Sequence, residues 1–390
     1  MWLRILCRLL IPLCLLILLV SMGTNLRHVA PSEPECHTLT QRDRHCEYQH
    51  LCIGAAEGAF VLGTVSGRVS RAIVENPVNL KAATDIDDIW FHPEFISRPI
   101  IERDKTIVWV NRTLIVAAPY STEHLTHFLL NNLLPAIDIR LRLAARAPHL
   151  HHHFDLFYTW NNVTPLATTT SWLGFTEAVI GPDWETHPLV ADRGQVVCYA
   201  RGIIGLNSTC LFDYCDHPHS PEVIPHVRSL LWDHCGFQAP QPRFRPLVHI
   251  IQRRGTRRIV NLALMEEWLR REEVDYSVFE MEGVDLCGQA GVFYEADVVV
   301  AVHGNSLGHM LWMRQGTAVI ELNSLGWHSD FFLQVAAASA HLGFFHQISC
   351  RSTSCLLKGE DDLDPKHRAI VIDTDVWRET LAALRLLTPP

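Results

Sequence analysis

The fold is decided by residues 247–322, in which four apolar runs alternate with helical segments: LVHII (247–251), YSVF (276–279), ADVVVAV (296–302) and AVIEL (318–322). Short runs that are apolar at consecutive positions are typical of strands buried on both faces of a sheet. The stretches between the runs have helical periodicity and predict helices at about 261–271, 285–295 and 306–313. This alternation predicts an α/β fold with a parallel, Rossmann-like sheet.

Residues 236–246 separate this region from the first half of the chain. They contain three prolines, which forbid a continuous helix or a central strand. We therefore predict a linker at 236–246 between an N-terminal lobe over 36–235 and a second lobe over 247–390. The second lobe is predicted to end in a helix over about 375–386 that packs back across the first lobe.

The N-terminal lobe mixes short strands with helices. The runs TIVWV (106–110) and TLIVA (113–117) resemble the two arms of a β-hairpin. A helix is predicted from about 123 to 146, because apolar residues recur there at helical spacing. Pro135 interrupts this helix and is expected to kink it.

An apolar run extends from about residue 9 to residue 22, and Arg4 and Arg8 precede it. Positive charge before the run predicts a cytosolic N-terminus, so residues 1–22 are predicted to form a cytosolic tail and signal anchor. A cleaved signal peptide is the alternative. Beyond a stem over 23–35, the chain would then lie in the lumen, as a single-pass type II protein of the Golgi or endoplasmic reticulum membrane.

Two further features favour luminal exposure. Three sequons for N-glycosylation occur, at Asn111, Asn162 and Asn207. Ten of the twelve cysteines lie beyond the apolar run, and an even number suits disulfides in an oxidising compartment. Close pairs are candidate bridges, namely Cys210 with Cys215 and Cys350 with Cys355. A zinc cluster is the alternative, but the sequence has no CxxC pair.

Charge and motif content argue against two classes of partner. The formal net charge is −9 and the isoelectric point is about 6.2. No basic excess is present to neutralise a phosphate backbone, which disfavours a nucleic-acid partner. No GxGxxG motif follows a strand, which argues against a dinucleotide enzyme such as a dehydrogenase or an epimerase.

A cationic loop follows the first strand of the second lobe. It reads QRRGTRR (252–258) and contains Arg253, Arg254, Gly255, Arg257 and Arg258. Ligands of open α/β sheets bind at the carboxyl ends of the strands. Arginine holds phosphate through bidentate, charge-assisted hydrogen bonds. The loop is therefore predicted to hold a diphosphate, and a solvated basic turn is the alternative.

Two later strand ends carry further candidate residues. The turn after ADVVVAV is predicted to contact the ligand through His303, Gly304, Asn305 and Ser306. Glycine permits close approach of the backbone, and the following helix offers free N–H groups to an anion. Glu321, near the end of the next strand, is predicted to accept hydrogen bonds from ribose hydroxyls. The alternatives are a plain turn with a core histidine and an ordinary surface glutamate.

In their order along the chain, these motifs resemble those of glycosyltransferase family 61. TRRIVN (256–261) is similar to the family's SRR-I-N element, AVHGNSL (301–307) to its VHGAGL-N element and GTAVIE (316–321) to its PPGA-VIE element. In the first lobe, HFLLNNLLP (127–135) is similar to the family's HF-x-x-x-LLP helix. The resemblance covers roughly residues 100–355.

The sequence also departs from that pattern. Asn305 and Ser306 replace the usual Ala-Gly pair, His309 stands where asparagine is frequent, and Arg314 and Gln315 replace two prolines. These departures keep a second hypothesis open. In it, the chain is a catalytically inactive luminal protein that binds a nucleotide sugar or a glycan as the partner of an active enzyme.

The resemblance implies a GT-B architecture, with two Rossmann-like lobes and a cleft between them. It implies inverting transfer from a UDP-sugar, with xylose or N-acetylglucosamine favoured, to a glycoprotein or polysaccharide acceptor. Such a reaction needs a general base, for which His127 is the candidate, and positive charge for the departing diphosphate. With the arginine loop in that second role, no metal cofactor is expected.

Two other motifs have metal-binding alternatives. DIDD (85–88) contains a DxD triplet, which binds manganese in GT-A enzymes, but it lies in a predicted loop far from the second lobe. The histidine tract HLHHH (149–153) follows Pro148 and is interpreted as a solvated loop. Neither motif is predicted to be a metal site.

Overall fold

The computed structural model of the chain describes the following residues: 35–38, 44–54, 58–63, 78–79, 90–91, 94–97, 105–117, 125–146, 154–158, 184–185, 194–205, 222–241, 243–360 and 362–387. The predicted signal anchor and stem lie outside these ranges, as do the DIDD and HLHHH motifs. None of the helices within the described ranges is both long and apolar enough to cross a membrane.

The first half of the described chain is built mainly from strands. They are β1 (Glu35–Thr38), β2 (Arg44–Gly54), β3 (Gly58–Gly63), β4 (Val78–Asn79), β5 (Trp90–Phe91), β6 (Glu94–Ser97), β7 (Thr106–Ala117), β8 (Phe154–Tyr158), β9 (Trp184–Glu185) and β10 (Gln195–Ile204). Eight of them form one sheet in the order β6-β3-β2-β10-β7-β8-β9, with β1 paired to β2. β2 runs antiparallel to β3 and β10, whereas β7 runs parallel to β8 and β10. This sheet is therefore mixed, rather than the purely parallel sheet of a Rossmann-like lobe.

The predicted hairpin over 106–117 is wrong, because these residues form the single strand β7. Val110 pairs with Tyr199 of β10, and Thr113 pairs with Arg201. Asn111 and Arg112 lie between these pairs and together oppose the single residue Ala200 of β10, which is a β-bulge. The strand continues past the bulge in the same direction instead of turning back as a hairpin. The side chain of the sequon residue Asn111 is exposed. Asn162 and Asn207 lie outside the described residues.

The helical region after β7 consists of three consecutive parts. They are α1 (Leu125–Phe128), a π-helical segment (Leu129–Leu133) and α2 (Leu134–Arg146). The N–H of Leu134 bonds to the carbonyl of Leu129, five residues back. Pro135 follows directly, lacks an N–H, and would clash with the carbonyl four residues before it in a regular helix. The interruption predicted at Pro135 thus takes the form of a widened π turn.

The second half alternates strands with helices, as predicted. Its strands are β11 (Leu247–Gln252), β12 (Asp275–Glu280), β13 (Val298–Val302), β14 (Ala318–Asn323) and β15 (Phe344–Ser349). The helices of this half and the one before the linker are α3 (Val223–Cys235), α4 (Leu262–Arg271), α5 (Leu286–Glu295), a 3₁₀ helix (Asn305–Trp312), α6 (Phe331–Ser339), 3₁₀ turns at Thr353–Cys355 and Pro365–His367, and α7 (Thr374–Leu387).

These five strands form a parallel sheet in the order β12-β11-β13-β14-β15. Every residue of β13 and β14 is buried, which explains why their sequences are apolar without alternation, apart from Glu321 and Asn323 of β14. The chain steps from β11 outward to β12 and then returns to β13 on the other side of β11. The strand order therefore reverses between β11 and β13, and ligands of such sheets bind at the carboxyl ends of the strands at that point.

Two hydrophobic clusters cover the faces of the parallel sheet. One contains residues of α4 and α7, and Trp268 of α4 lies against Trp377 of α7. The predicted packing of the C-terminal helix across the first lobe is wrong, because α7 packs on β14 and β15. The other cluster includes Ile115 of β7, Leu133 of the π-helical segment and Met310 of the 3₁₀ helix. The two halves thus share a continuous core around α1 and α2.

Three disulfides connect described residues. Cys52–Cys198 joins β2 to β10, Cys235–Cys287 joins α3 to α5, and Cys350–Cys355 confirms one of the two predicted bridges. Cys46 is also disulfide-bonded. The other predicted pair, Cys210 with Cys215, lies outside the described residues.

Candidate functional site

Two adjoining cavities open at the carboxyl ends of β11 and β13. The histidine cavity has a volume of about 290 Å³ and is lined by Thr126, His127, Arg257, His303, Gly304, Asn305, Ser329, Phe331 and Phe332. The methionine cavity has a volume of about 200 Å³ and is lined by Leu125, Ile251, Gln252, Arg253, Met281, Glu282, Gln289, Asn305, Ser306 and His309. Asn305 lies on the wall of both. The site therefore lies at the point where the strand order of the sheet reverses, and α1 from the first half forms part of its wall.

The arginine loop divides into two pairs. Arg253 and Arg257 line the cavities. Arg254 turns away, because its Nε donates to Glu280 Oε2 at 2.6 Å and its side chain is 66% exposed. Arg258 lines neither cavity, and its Nη1 donates to the carbonyl of Gly255 in the same loop at 3.5 Å. Two of the four predicted arginines are thus placed where a ligand would bind.

Arg253 and Arg257 lie side by side in a partly buried place. Burial is the main reason that the pKa of Arg257 is lowered to about 10, and the charge of Arg253 lowers it further. Burial also lowers the pKa of Arg253. Within the described residues, the Arg253 side chain makes no hydrogen bond or ion pair, and Arg257 Nε is buried without an acceptor. Two like charges held together and short of acceptors form a site for an anion.

Backbone geometry brings this pair close to the turn after β13. A Cβ atom on Gly304 would lie 2.4 Å from Arg253 Nη1, so glycine is required for the guanidinium to lie against this turn. Arg257 Nη1 donates to the carbonyl of His303 at 3.2 Å. Arg257 itself has a φ of 57°, a left-handed conformation that is strained for a residue with a side chain. Gly255 lies in open space instead.

His303 is supported from below by Glu321. The His303 Nδ1–Glu321 Oε1 distance is 2.6 Å, and Glu321 is fully buried. The other carboxylate oxygen accepts from Gln347 Nε2 at 2.6 Å, and the same nitrogen donates to the Ser329 carbonyl. Both carboxylate oxygens of Glu321 thus accept hydrogen bonds from protein groups beneath the cavity wall. The predicted contact between Glu321 and a ribose is therefore not seen in this arrangement. Glu321 instead orients His303.

This support fixes the chemistry of the His303 ring. A carboxylate only accepts hydrogen bonds, so Nδ1 carries a hydrogen and, in the neutral ring, Nε2 has the free lone pair. The ring is flanked by Trp327 and Phe332, with ring centroids at 5.7 and 5.1 Å.

His127 lines the histidine cavity together with His303. It lies on α1, and its ring centroid is 5.6 Å from that of Phe331. The structure thus brings together five predicted residues around this cavity, namely His127, Arg257, His303, Gly304 and Asn305. Ser306 and Arg253 line the adjoining methionine cavity, whereas Arg254, Gly255, Arg258 and Glu321 line neither.

The sequence analysis missed several residues of the site. Ser329, Phe331 and Phe332 follow the end of β14, and Met281 and Glu282 follow the end of β12. The rule that ligands bind at strand ends could have found all of them. Gln347 has no such signal, because it reaches Glu321 only through the pairing of β14 with β15.

Two departures from the family pattern have structural explanations. Arg314 donates to the carbonyl of Tyr294 at 2.8 Å and pairs with Asp297 Oδ1 at 2.6 Å, at the opposite end of β13 from the cavities. His309 is fully buried, with Nε2 2.9 Å from Gln289 Oε1. Gln289 Nε2 donates to the Val284 carbonyl, which fixes the orientation of the amide. Nε2 of His309 therefore carries the hydrogen.

The burial of His309 predicts acid-sensitive stability. Burial lowers its pKa from 6.5 to about 3, so the unfolded chain binds a proton below pH 6.5 that the folded chain excludes. Stability is therefore present above pH 6.5 and is lost as the pH falls. We expect His309→Asn to reduce the loss between pH 7.5 and 5 by about 2 kcal/mol, at about 1.36 kcal/mol per pH unit.

Urea unfolding of wild type and His309→Asn at pH 7.5, 6 and 5 measures this difference. Other buried histidines, such as His249 and His341, also have lowered pKa values, and they contribute equally to both proteins. Parallel pH dependences of the two proteins would show that His309 becomes protonated without cost in the folded state.

The described residues contain no group of three or more His, Cys, Asp or Glu side chains that could hold a metal ion. The DIDD and HLHHH motifs lie outside the described residues. The cationic groups that could neutralise a diphosphate in the described site are Arg253 and Arg257, with His303 beside them.

Comparison with known proteins agrees with the order of motifs. The family model for glycosyltransferase 61 matches residues 3–320. Beta-1,2-xylosyltransferase XYXT1 of Oryza sativa subsp. japonica is 26% identical over 166 residues, or 40% of this chain. The aligned part spans only 35% of the rice protein. Since the family model covers most of the chain, the protein belongs to glycosyltransferase family 61.

Proposed function

We propose that the protein is an inverting glycosyltransferase that moves a sugar from a UDP-sugar to a hydroxyl of a glycoprotein or polysaccharide. The observation that carries this proposal is the pair Arg253 and Arg257 at the switch point, which are partly buried and short of acceptors. A diphosphate supplies the missing acceptors and negative charge. With two guanidiniums in that role, the reaction needs no metal for the leaving group.

The two cavities suggest how the donor is oriented. The diphosphate lies against Gly304, between the cavities, where both guanidiniums are within reach. The sugar and the acceptor hydroxyl occupy the histidine cavity, because the acid–base groups His127 and His303 line it. The nucleoside then occupies the methionine cavity, which has apolar walls formed by Leu125, Ile251 and Met281.

The reaction follows from this orientation. His127 removes the proton from the acceptor hydroxyl, whose oxygen forms a bond to the anomeric carbon from the face opposite the diphosphate. The bond between that carbon and the phosphate oxygen breaks, and the anomeric configuration inverts. The negative charge that develops on the diphosphate is stabilised by Arg253 and Arg257. His303, oriented by Glu321, lines the histidine cavity beside Gly304.

We further propose a two-lobed, GT-B-like arrangement with the lobes at 36–235 and 247–390, joined by the linker at 236–246. The mixed sheet of the first lobe departs from the Rossmann-like pattern of that architecture. The parallel sheet with its switch point supports a nucleotide-binding second lobe. Residues 1–22 are proposed as the anchor and 23–35 as the stem of a Golgi or endoplasmic reticulum enzyme. Xylose is favoured as the sugar because the rice relative is named a xylosyltransferase.

Donor hydrolysis tests the proposal. The full-length chain, purified in detergent, is incubated with UDP-xylose, UDP-N-acetylglucosamine, UDP-galactose and GDP-mannose, with and without EDTA. We expect release of UDP from one UDP-sugar at a rate that EDTA leaves unchanged. Loss of activity with EDTA would contradict the metal-independent mechanism. UDP binding without hydrolysis or transfer to any glycan acceptor would instead favour the inactive partner.

A further inference from the structure

We propose that Asn305 is a positioning residue, which holds His127 over the histidine cavity by capping the helix that carries it. The inference rests on the proposed function, because it assigns His127 to catalysis. Asn305 belongs to the turn after β13, and His127 belongs to α1 from the first half. The capping contact therefore links the two sides of the site.

The contact consists of hydrogen bonds between Asn305 and Thr126, the residue before His127. The backbone N–H of Thr126 donates to Asn305 Oδ1 at 2.9 Å. The Thr126 hydroxyl lies 3.0 Å from both the backbone carbonyl and Oδ1 of Asn305. The first N–H groups of a helix have no partner within the helix, and an asparagine side chain is a preferred acceptor for them. Here the cap comes from a residue 179 positions away.

The packing around this contact excludes a larger neighbour. A Cβ atom on Gly308 would lie 2.5 Å from Thr126 Oγ1 and 3.3 Å from its Cα atom. Thr126 is only 3% exposed. The glycine at 308 thus allows α1 to lie directly against the 3₁₀ helix, which places Asn305 within hydrogen-bonding distance of Thr126.

α1 depends on such an external support. It spans only Leu125–Phe128 and is followed directly by the π-helical segment at Leu129–Leu133. α1 is the first turn of the helical region that continues to Arg146, and the N–H groups of such a first turn have no acceptor within the helix. The direction in which His127 points is therefore set by tertiary contacts at the start of α1. Among these tertiary contacts, Asn305 provides the hydrogen bonds to Thr126.

The residue at position 305 is one of the departures from the family pattern. The motif that AVHGNSL resembles has alanine at this position, and alanine has no side-chain acceptor. Asn305 therefore replaces a residue that could not make the contact with Thr126. In this proposal, Asn305 positions His127, the proposed base, and does not act by contacting the donor.

Substitution of Asn305 tests the inference in the full-length protein. We expect Asn305→Ala to lower kcat about ten-fold, while the Kd for UDP changes less than two-fold. Asn305→Asp keeps the acceptor and is expected to restore most of kcat. Thr380→Val removes a buried hydroxyl bond of α7, far from the site, and serves as the control for a purely structural loss. It should leave kcat unchanged.

Hydrogen exchange of the peptide that contains Thr126 gives a second readout, which does not require activity. Exchange of this amide is expected to accelerate about ten-fold in Asn305→Ala and to return towards wild type in Asn305→Asp. If Asn305→Ala does not fold, Thr126→Val, which keeps the N–H but loses the hydroxyl, should show a smaller loss of kcat. Unchanged exchange, or unchanged kcat with altered exchange, would overturn the inference. A wild-type protein that binds UDP but transfers nothing would instead overturn the proposed function.

Discussion

Replacing Arg257 with alanine is expected to weaken the binding of UDP roughly 10- to 150-fold, or about 1.5–3 kcal/mol, the range for hydrogen bonds to charged groups. Arg257 is partly buried beside Arg253, has an Nε without an acceptor and lines the histidine cavity. A diphosphate would supply the acceptor and relieve the repulsion between the two guanidiniums. Both contributions are lost when one guanidinium is removed.

The same loop provides the matched control. Arg254 has the same charge and lies three residues away, but it is exposed and paired with Glu280. We expect Arg254→Ala to change the Kd for UDP by less than two-fold. Arg257→Lys keeps the charge without the planar fork and should give an intermediate affinity. Isothermal titration of the full-length proteins with UDP measures all three.

The comparison between Arg254→Ala and Arg257→Ala decides whether specific arginines of the loop bind the diphosphate. Equal losses for Arg254→Ala and Arg257→Ala would mean that the loop acts only through its net charge, as a solvated basic turn would. In that case the affinity should also fall steeply with ionic strength for the wild-type protein, since exposed charges are screened within about 10 Å at 0.1 M salt. A partly buried pair is expected to be less sensitive.

The sequence predicted the position of the arginine loop but not which arginines face the cavities. The four guanidiniums are equivalent in a linear sequence. Glu280, which draws Arg254 away, lies at the end of β12, and the two segments meet because Gln252 pairs with Glu280 in the sheet. Glu321 is a similar case. Its place near a strand end was predicted, whereas its burial depends on His303 and Gln347 from the two neighbouring strands.

The same distinction applies to the fold. The strands β11, β13 and β14 were predicted because each is a short run buried on both faces, and this leaves a direct trace in the sequence. β12, at the edge of the sheet and only partly buried, was predicted from the short run YSVF. The mixed sheet of the first half was not predicted. Its central strand β10 pairs with β2 and β7, which are distant in the chain, so no local pattern specifies that order. The bulge at Asn111 and Arg112 similarly depends on the partner strand.

Replacing His127 with alanine is expected to lower kcat about 10²- to 10⁴-fold, the usual contribution of a general base. The affinity for UDP should remain within two-fold of wild type, because His127 is assigned to the acceptor hydroxyl rather than to the diphosphate. His303→Ala is expected to differ. It should weaken UDP binding as well as turnover, since the His303 side chain lines the histidine cavity together with Gly304 and Arg257.

The Kd for UDP and the kcat of the two variants therefore separate the roles of the two histidines. Glu321→Gln should reproduce the loss of turnover of His303→Ala in part, because an amide has one acceptor oxygen, whereas the carboxylate accepts from both His303 Nδ1 and Gln347 Nε2. A His127→Ala protein with wild-type kcat would remove His127 as the base. A loss of kcat in His303→Ala at unchanged UDP affinity would transfer that role to His303, whose Nε2 lone pair Glu321 holds towards the cavity. Because both histidines line one cavity from opposite halves of the chain, these variants also test whether acceptor and donor meet there.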